Sequence, residues 1–522
     1  MIPEGVTPRV RAGALLAREW DAIVVGAGIG GLVTAALLAT RARMRVLVLE
    51  RHHELGGLTQ TFRRRRFGWE VGVHYVGDVG GGFVRRLLDV VCSRRVDWAP
   101  LPARHDRLVA PGIDARLGGD RSTLRAQWLA LAPGEERAVD RLLDAATECA
   151  RLAPPHMMAR MRRGHVPAER TPFLALSDRT SAEVIAEAGA SPRLGTLASY
   201  AWTDYGSPPE RGSFAALSII LAHYLAGAFH PVGGGAALAR AMASTIGAAG
   251  GQVVVRAEVA RALLEAGQVR GVVLRDGTEV RAPRVVSDVG ARGTVDWLAP
   301  DDAAARARMH AIGPSAPHVA LYLGLARAPT ELGLDGSNVF IARDAYGSAV
   351  RDWAEWCTGA REEPSEIYVS TACAVDPSFA SRFPGRTALT LASPASHEAF
   401  ARWQGTPHAH RGADYAETKR RLASSMLRMA SRHLPLADVE HVELSTPLST
   451  RHFTNHASGE ITGLASTPLR FRTGPGPHTS TGGLYLTGQD IWNCGVVGAA
   501  LGGTLSASAI TNRDLFTELA MR

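Results

Sequence analysis

The stretch "DAIVVGAGIGGLVTAALLA", residues 21–39, joins a short apolar run to a helical one through Gly26, Gly28 and Gly31. Apart from Asp21, the first five residues have the β-branched, apolar character of a buried parallel strand. A second such run, "RVLVLE", ends in Glu50. Each glycine has its own mechanical role. Gly26 makes the tight turn, Gly28 lets backbone approach a pyrophosphate, and Gly31 lets helix and strand pack closely. The helix then offers free N–H groups and a positive dipole end to the phosphates. Glu50 can accept hydrogen bonds from ribose hydroxyls. Glycines alone would say little. In strand–turn–helix context, with an acid closing the next strand, they indicate dinucleotide binding.

The other end of the chain repeats the arrangement. In "GLYLTGQDIWNCGVVGAALGG", residues 483–503, a strand-like run passes through Gln489 and Asp490 into a glycine-rich helical segment. Between the two ends, Gly56 and Gly57 in "RHHELGGLTQTF" allow a second close approach of backbone to ligand. "TFRRRRFGWEVGVHYVGDVGGG" alternates as a hairpin with arginines 63–66 at its tip. Residues 230–291 read as turn, helix and strand, then a meander turning at 266–267 and 276–277, then the buried strand "RVVSDV". No second G-x-G-x-x-G follows a strand, which argues against a dedicated nicotinamide site.

With 522 residues, 46% of them hydrophobic, the chain can bury a large core and divide into two domains. It has no run of eighteen apolar residues, and residues 1–19 lack the apolar heart of a signal peptide, so they are expected to be a loose tail and the protein cytoplasmic. The five cysteines are scattered without a C-x-x-C pair, which supports neither disulfides nor a metal site. The net charge of +8 comes from dispersed arginines, Lys419 being the sole lysine; no nucleic-acid motif accompanies it. The basic surface and the Met/Arg segment 154–166 leave room for peripheral membrane contact, a solvated amphipathic helix being the simpler expectation. Segment 213–229 is apolar all round and belongs in a core or beside a greasy pocket. No G-x-S-x-G, H-E-x-x-H or P-loop offers rival chemistry.

Five segments together resemble the FAD-dependent phytoene desaturase superfamily, in particular its carotenoid isomerase and retinol saturase branch. They are "VVGAGIGGL" with "VLVLERHHELGG", "TFRRRRFGWEVGVHYVG", "YLAGAFHPVGGGAALARAM", "STPLSTRHFTNHASGEITGL" and the C-terminal stretch quoted above. The resemblance implies an α/β fold with a Rossmann-type FAD-binding domain (20–95, 230–300 and 441–515) and a discontinuous α+β substrate domain (96–229 and 301–440). It implies that both glycine turns hold one FAD. The contacts would come from Gly26, Gly28, Gly30, Gly31, Glu50, Arg51, Gly56, Gly57, Leu58, Thr59, Val259, Gly488, Asp490, Gly495, Val496 and Val497. His74 and Tyr75, on the strand passing the flavin ring, are the catalytic candidates, as proton donors or packing groups. Two positions depart from the family pattern: Arg66 stands where a glycine is usual and Cys494 where proline is.

The implied activity is saturation or desaturation of a C–C bond in a polyene or isoprenoid lipid, with a lipophilic small molecule as substrate and an electron partner that the sequence does not name. The alternatives are a flavin-dependent cis–trans carotenoid isomerase, an amine oxidase, for which Lys419 is poorly placed, and a prenyl-binding protein without flavin chemistry. Retention of the glycines and of Glu50 argues against the last.

Overall fold

Short β-branched runs far apart in the chain meet edge to edge in one sheet. The computed structural model describes residues 6–8, 18–162, 170–344, 346 and 349–521. Across this sheet the strands run Val6–Pro8, Gln252–Val255, Val46–Leu49, Ala22–Val25, Val285–Ser287 and Leu484–Leu486, each pair parallel. Strand residues alternate faces. Ala22, Val24, Val46 and Val48 join a core with the helices, whereas Ile23, Val25, Leu47 and Leu49 pack under the meander Val259–Glu265, Gln268–Leu274 and Glu279–Arg281. Covering on both faces is what a parallel sheet of continuous apolar runs requires. The expected loose tail is corrected in part, since Val6–Pro8 adds a strand to the sheet's edge, where a proline costs no ladder bond.

Strands from the two ends of the chain flank Val285–Ser287, and their helices touch. The opening helix Ile29–Arg41 and the closing helix Gly495–Thr511 approach so closely that a Cβ on Gly30 would lie 2.3 Å from Gly488 Cα, and one on Gly503 2.7 Å from the Gly30 carbonyl. Thr34 and Thr487 share a hydroxyl–hydroxyl bond of 2.8 Å across the seam. Only glycine permits this backbone-on-backbone contact.

The second sheet has the order Val439–Ser445, His318–Leu325, Thr387–Pro394, Glu366–Ser370, Asn338–Ala342, Asp106–Ala110 and Ile113–Leu117. All its pairs are antiparallel except Asn338–Ala342 with Asp106–Ala110. Tyr415, Leu422 and Met426 of the helix Gly412–Ser431 pack into the core on one face. Beside this sheet the long helix Glu136–Ala159 packs on Phe214–Leu225, the apolar helix expected within 213–229.

Two expected domain boundaries need moving. The cut at 440/441 falls inside Val439–Ser445, which pairs with His318–Leu325, and the cut at 229/230 falls inside Ala228–Pro231, which bridges Val76–Gly77 and Trp98–Pro100. Composition does not reveal which distant strand a run will pair with. The arginine hairpin forms as expected from Thr61–Arg64 and Phe67–Glu70, with Arg65, not Arg66, in the left-handed region at φ +52°. In segment 154–166, His156 and Met157 are buried at the end of Glu136–Ala159 and Met158 is half-buried; residues 163–169 lie outside the described ones. Among the described residues no helix is long and apolar enough to cross a membrane.

Gly30→Ala should lower unfolding stability by about 1–3 kcal/mol or more, the cost of an overpacked seam. Gly405→Ala, whose Cβ would meet nothing within 4 Å, should leave it unchanged; urea titration of both variants checks this.

Candidate active site

Gly26 turns the chain at φ +99°, and the opening helix starts after Gly28 without a side-chain cap. Its first-turn N–H groups are therefore left for a ligand. Glu50 braces the turn: Ala27 N–H donates to one carboxylate oxygen at 2.8 Å and His52 N–H to the other at 2.7 Å. Burial pushes this carboxyl upward while those N–H groups and Arg51 pull it back. Each oxygen keeps a lone pair for a ribose hydroxyl. Gly56 and Gly57, both at positive φ, bring a second loop against the first; Gly56 N–H donates to the Ala27 carbonyl at 2.8 Å. Thr59 fixes that loop through its hydroxyl to the Gly56 carbonyl at 2.9 Å.

A cavity of about 890 Å³ runs along these turns. The structure brings to its wall Gly26, Gly28, Gly30, Glu50, Arg51, Gly56, Gly57, Leu58, Thr59, Val259, Asp490, Gly495, Val496 and Val497, together with His74 and Tyr75. Gly31 and Gly488 stand behind it. A Cβ on Gly31 would meet the Gly26 carbonyl at 2.5 Å, and Gly488, at φ +90°, presses on Gly30, so Gly488 shapes the wall without lining it, contrary to expectation. Asp490 lines the cavity and also braces it. Its two oxygens accept N–H bonds from Leu464 at 2.8 Å and Ala291 at 2.7 Å, so the side chain ties two loops to the closing turn. The buried Arg470 assists by donating to the Gln489 carbonyl at 2.7 Å.

Asp288 escaped the reading from sequence. It follows Val285–Ser287 and lies between the two glycine turns: a Cβ on Gly28 would come within 2.5 Å of its Oδ2, and one on Gly488 within 2.6 Å of its Oδ1. Burial pushes its carboxyl up to about 7, Glu50 and Asp490 add to this, and N–H groups of Gly31 and Gly28 oppose it. The signal was an acid ending a buried strand, beside a turn built to receive phosphate.

At the other end the cavity becomes aromatic and apolar, with Ile219, Ile220 and Tyr224 from the apolar helix and Tyr368 from the second sheet. Tyr75 stacks on Tyr224 with centroids 4.1 Å apart and donates to Asp204 Oδ2 at 2.7 Å. Burial, with Asp106 and Asp204 beside it, raises the Tyr75 phenol well above its ordinary value. His74 is pushed down to about 3 by burial and by His230 and His318, so it stands neutral at neutral pH and carries no imidazolium proton to give. Cys494 caps the closing helix with its Sγ 3.7 Å from the Asp204 carbonyl, and burial pushes the thiol up to about 12, as befits a packed filler. Lys419 lies over the Tyr415 ring, outside the cavity wall.

Residues 24–90 match the NAD(P)-binding Rossmann-like domain family. The whole chain is 31% identical to an all-trans-retinol 13,14-reductase of Danio rerio, over 96% of this chain and 87% of that one. This chain belongs to the all-trans-retinol 13,14-reductase family. At 24% identity it also matches prolycopene isomerase 2 of an Oncidium hybrid cultivar, over 95% of this chain and 84% of that one, within the phytoene desaturase-like superfamily. A solved putrescine oxidase, a triple mutant with redesigned cofactor binding, superposes with a TM-score of 0.63 at 18% identity, covering 95% of this chain and 99% of that one; this likeness speaks for the fold alone. The α/β class with a Rossmann-type half stands, and the retinol-reductase family member has a site for a flavin or nucleotide cofactor.

In the folded protein Asp288 keeps its proton to about pH 7, whereas an unfolded aspartate loses it near about pH 3.9. The folded state therefore binds more protons in that window, and stability falls as pH rises through it. Asp288→Asn should make the decline shallower by up to one proton's slope, measured by urea unfolding of the ligand-free protein across that range.

Proposed function

We propose that the protein is an FAD-dependent oxidoreductase that reduces a carbon–carbon double bond in a polyene or isoprenoid lipid. The observation that carries this reading is one continuous cavity, with two glycine turns and Glu50 at one end and Ile219, Ile220, Tyr224 and Tyr368 at the other. The family relation supports the same chemistry, since the relative from Danio rerio is named for reducing retinol at a double bond.

The cradle fits the group. Gly28, Gly30 and Gly56 leave no room for a Cβ, the helix N-termini are free of side-chain caps, and Val259 lines the end beyond Glu50. Gly26, Gly28 and Gly30 with Gly56, Gly57, Leu58 and Thr59 would hold the pyrophosphate portion. Glu50 and Arg51 would hold the ribose, Val259 the adenine, and Gly495, Val496 and Val497 the flavin. Gly31, Gly488 and Asp490 would keep those walls in place. When bound, FAD supplies the hydride of the reaction. The protein's own part is to lay the substrate chain along the apolar helix, to exclude water, and to deliver a proton through Tyr75. His74 packs beside Tyr368, their ring centroids 5.2 Å apart, and orients the wall as a neutral group. The two sheets divide the labour: the parallel one carries the cofactor and the seven-stranded one, with the helices beside it, the substrate. The basic surface suits docking at an anionic membrane, where such lipids reside.

The purified protein should be yellow and release FAD on acid denaturation, identified by mass. Reduced without oxygen and mixed with all-trans-retinol, it should regain oxidised-flavin absorbance while the product gains two hydrogens. A product of unchanged mass would indicate isomerisation, and reduction of the oxidised form by amines would indicate an amine oxidase.

A further inference from the structure

Beside the reaction chamber two carboxyls lie in the core without a cation. Asp204 Oδ2 accepts from Tyr75 at 2.7 Å, and Asp106 Oδ2 accepts from Tyr200 at 2.9 Å. No described arginine or lysine pairs with either one. The nearest basic group is His105, whose Nε2 is 3.8 Å from Asp106 Oδ2, and burial pushes that imidazole down to about 4. An isolated carboxylate in such surroundings is costly and is neutralised by keeping its proton. Burial accordingly pushes Asp204 up to about 8 and Asp106 up to about 7.

The pair is placed for use. Tyr75, Asp204 and Tyr224 line the main cavity, and the Asp204 carbonyl touches the cap of the closing helix at Cys494. Behind them Asp106, Tyr200 and Tyr224 line a second cavity of about 50 Å³, with Ile220 and Tyr224 in both walls. That volume holds a water molecule.

We propose that Asp204 stores the proton that Tyr75 delivers to the substrate, with Asp106 and Tyr200 as the station that refills it. The proposal rests on the reductase reading. With Asp204 protonated, its O–H donates to Tyr75 Oη and the phenolic proton turns towards the cavity. Saturating a C=C bond takes a hydride and a proton. The hydride, with both electrons, comes from a reduced flavin, which is thereby oxidised, and forms a C–H bond at one carbon. At the other carbon a C–H bond forms as the Tyr75 Oη–H bond breaks. The Asp204 O–H bond breaks in turn to restore the phenol, so the charge left in the wall is a carboxylate and never a bare phenolate. The Asp106 O–H bond then breaks to return a proton to Asp204, and Asp106 regains its proton from bulk solvent, relayed through water in the rear cavity. The titratable groups facing Asp204 are Tyr75, Asp106, Tyr200, Tyr205, Tyr224, Tyr368 and Cys494; none becomes a cation.

The test compares the FAD-loaded wild type with Asp204→Asn, Asp204→Glu and Tyr75→Phe by two independent readouts. In infrared spectra of the protein without substrate, the wild type should show the carbonyl stretch of a protonated buried carboxyl at neutral pH. Burial also raises Asp106, Asp288, Glu70 and Glu366, so the signal is read as a difference spectrum: Asp204→Asn should remove one carboxyl component of that band, and Tyr75→Phe should shift the same component. In a single anaerobic turnover with all-trans-retinol, Asp204→Asn should slow reduction by about 10²-fold or more with its flavin absorbance unchanged. Asp204→Glu should recover most of the rate. A difference spectrum in which Asp204→Asn removes no carboxyl component, or a rate that Asp204→Asn leaves unchanged, overturns the proposal. A wild type that has the Asp204 component yet leaves retinol unreduced counts against the reductase reading, not against the protonated Asp204, which the difference spectrum decides by itself.

Discussion

Backbone packed directly on backbone at the seam between the opening and closing helices is the constraint on which the molecule depends. Gly30 against Gly488, and Gly503 against the Gly30 carbonyl, bring chain segments more than 450 residues apart to van der Waals distance, with Thr34 and Thr487 bonded beside them. The contact fixes the spacing between two helix N-termini, and that spacing shapes the cofactor end of the cavity. A side chain at Gly30 or Gly503 would have to displace main chain, which the covered parallel sheet cannot yield.

The cofactor half was legible because its physics is local. A tight turn, a close approach and a helix N-terminus each need a glycine or an apolar run at fixed spacing, and Gly26, Gly28, Gly31 and Glu50 display that spacing in the sequence. The closing turn was legible for the same reason, although Gly488 stands behind the wall and Asp490, on it, also ties two loops together. The reaction end was not. Tyr75 could be flagged from its motif, but Asp204 and Asp106 owe their character to burial and to each other, and both depend on pairings such as Asp106–Ala110 with Asn338–Ala342 that no local pattern encodes. Asp288 lay in plain view at the end of "RVVSDV"; its meaning came only from the turn it faces. The strand at Val6–Pro8 escaped for a similar reason, since three residues at a sheet edge carry too little pattern.

The two ends of the cavity use opposite physical means. At the glycine end the chain presents N–H groups and keeps side chains away. At the far end it presents large side chains and keeps charge away, to the point that His74, His105 and Asp204 are all held in their neutral forms near neutral pH. A lipophilic chain can enter such a wall without losing to solvent, while proton transfer remains available through hydrogen-bonded neutral groups.

The order in which the strands arise along the chain also governs how the protein comes into being. Leu484–Leu486 and the helix after it are made long after their partners: the strand pairs with Val285–Ser287 and the helix packs on the opening helix Ile29–Arg41. The edge of Val285–Ser287 and one face of the opening helix must therefore wait uncovered until these late residues have been synthesised. Contacts of such long sequence separation are slow to form, and exposed edges are prone to wrong association in the interval. A bound nucleotide bridging both turns would lock the late piece onto the early one, making cofactor supply during maturation a determinant of yield.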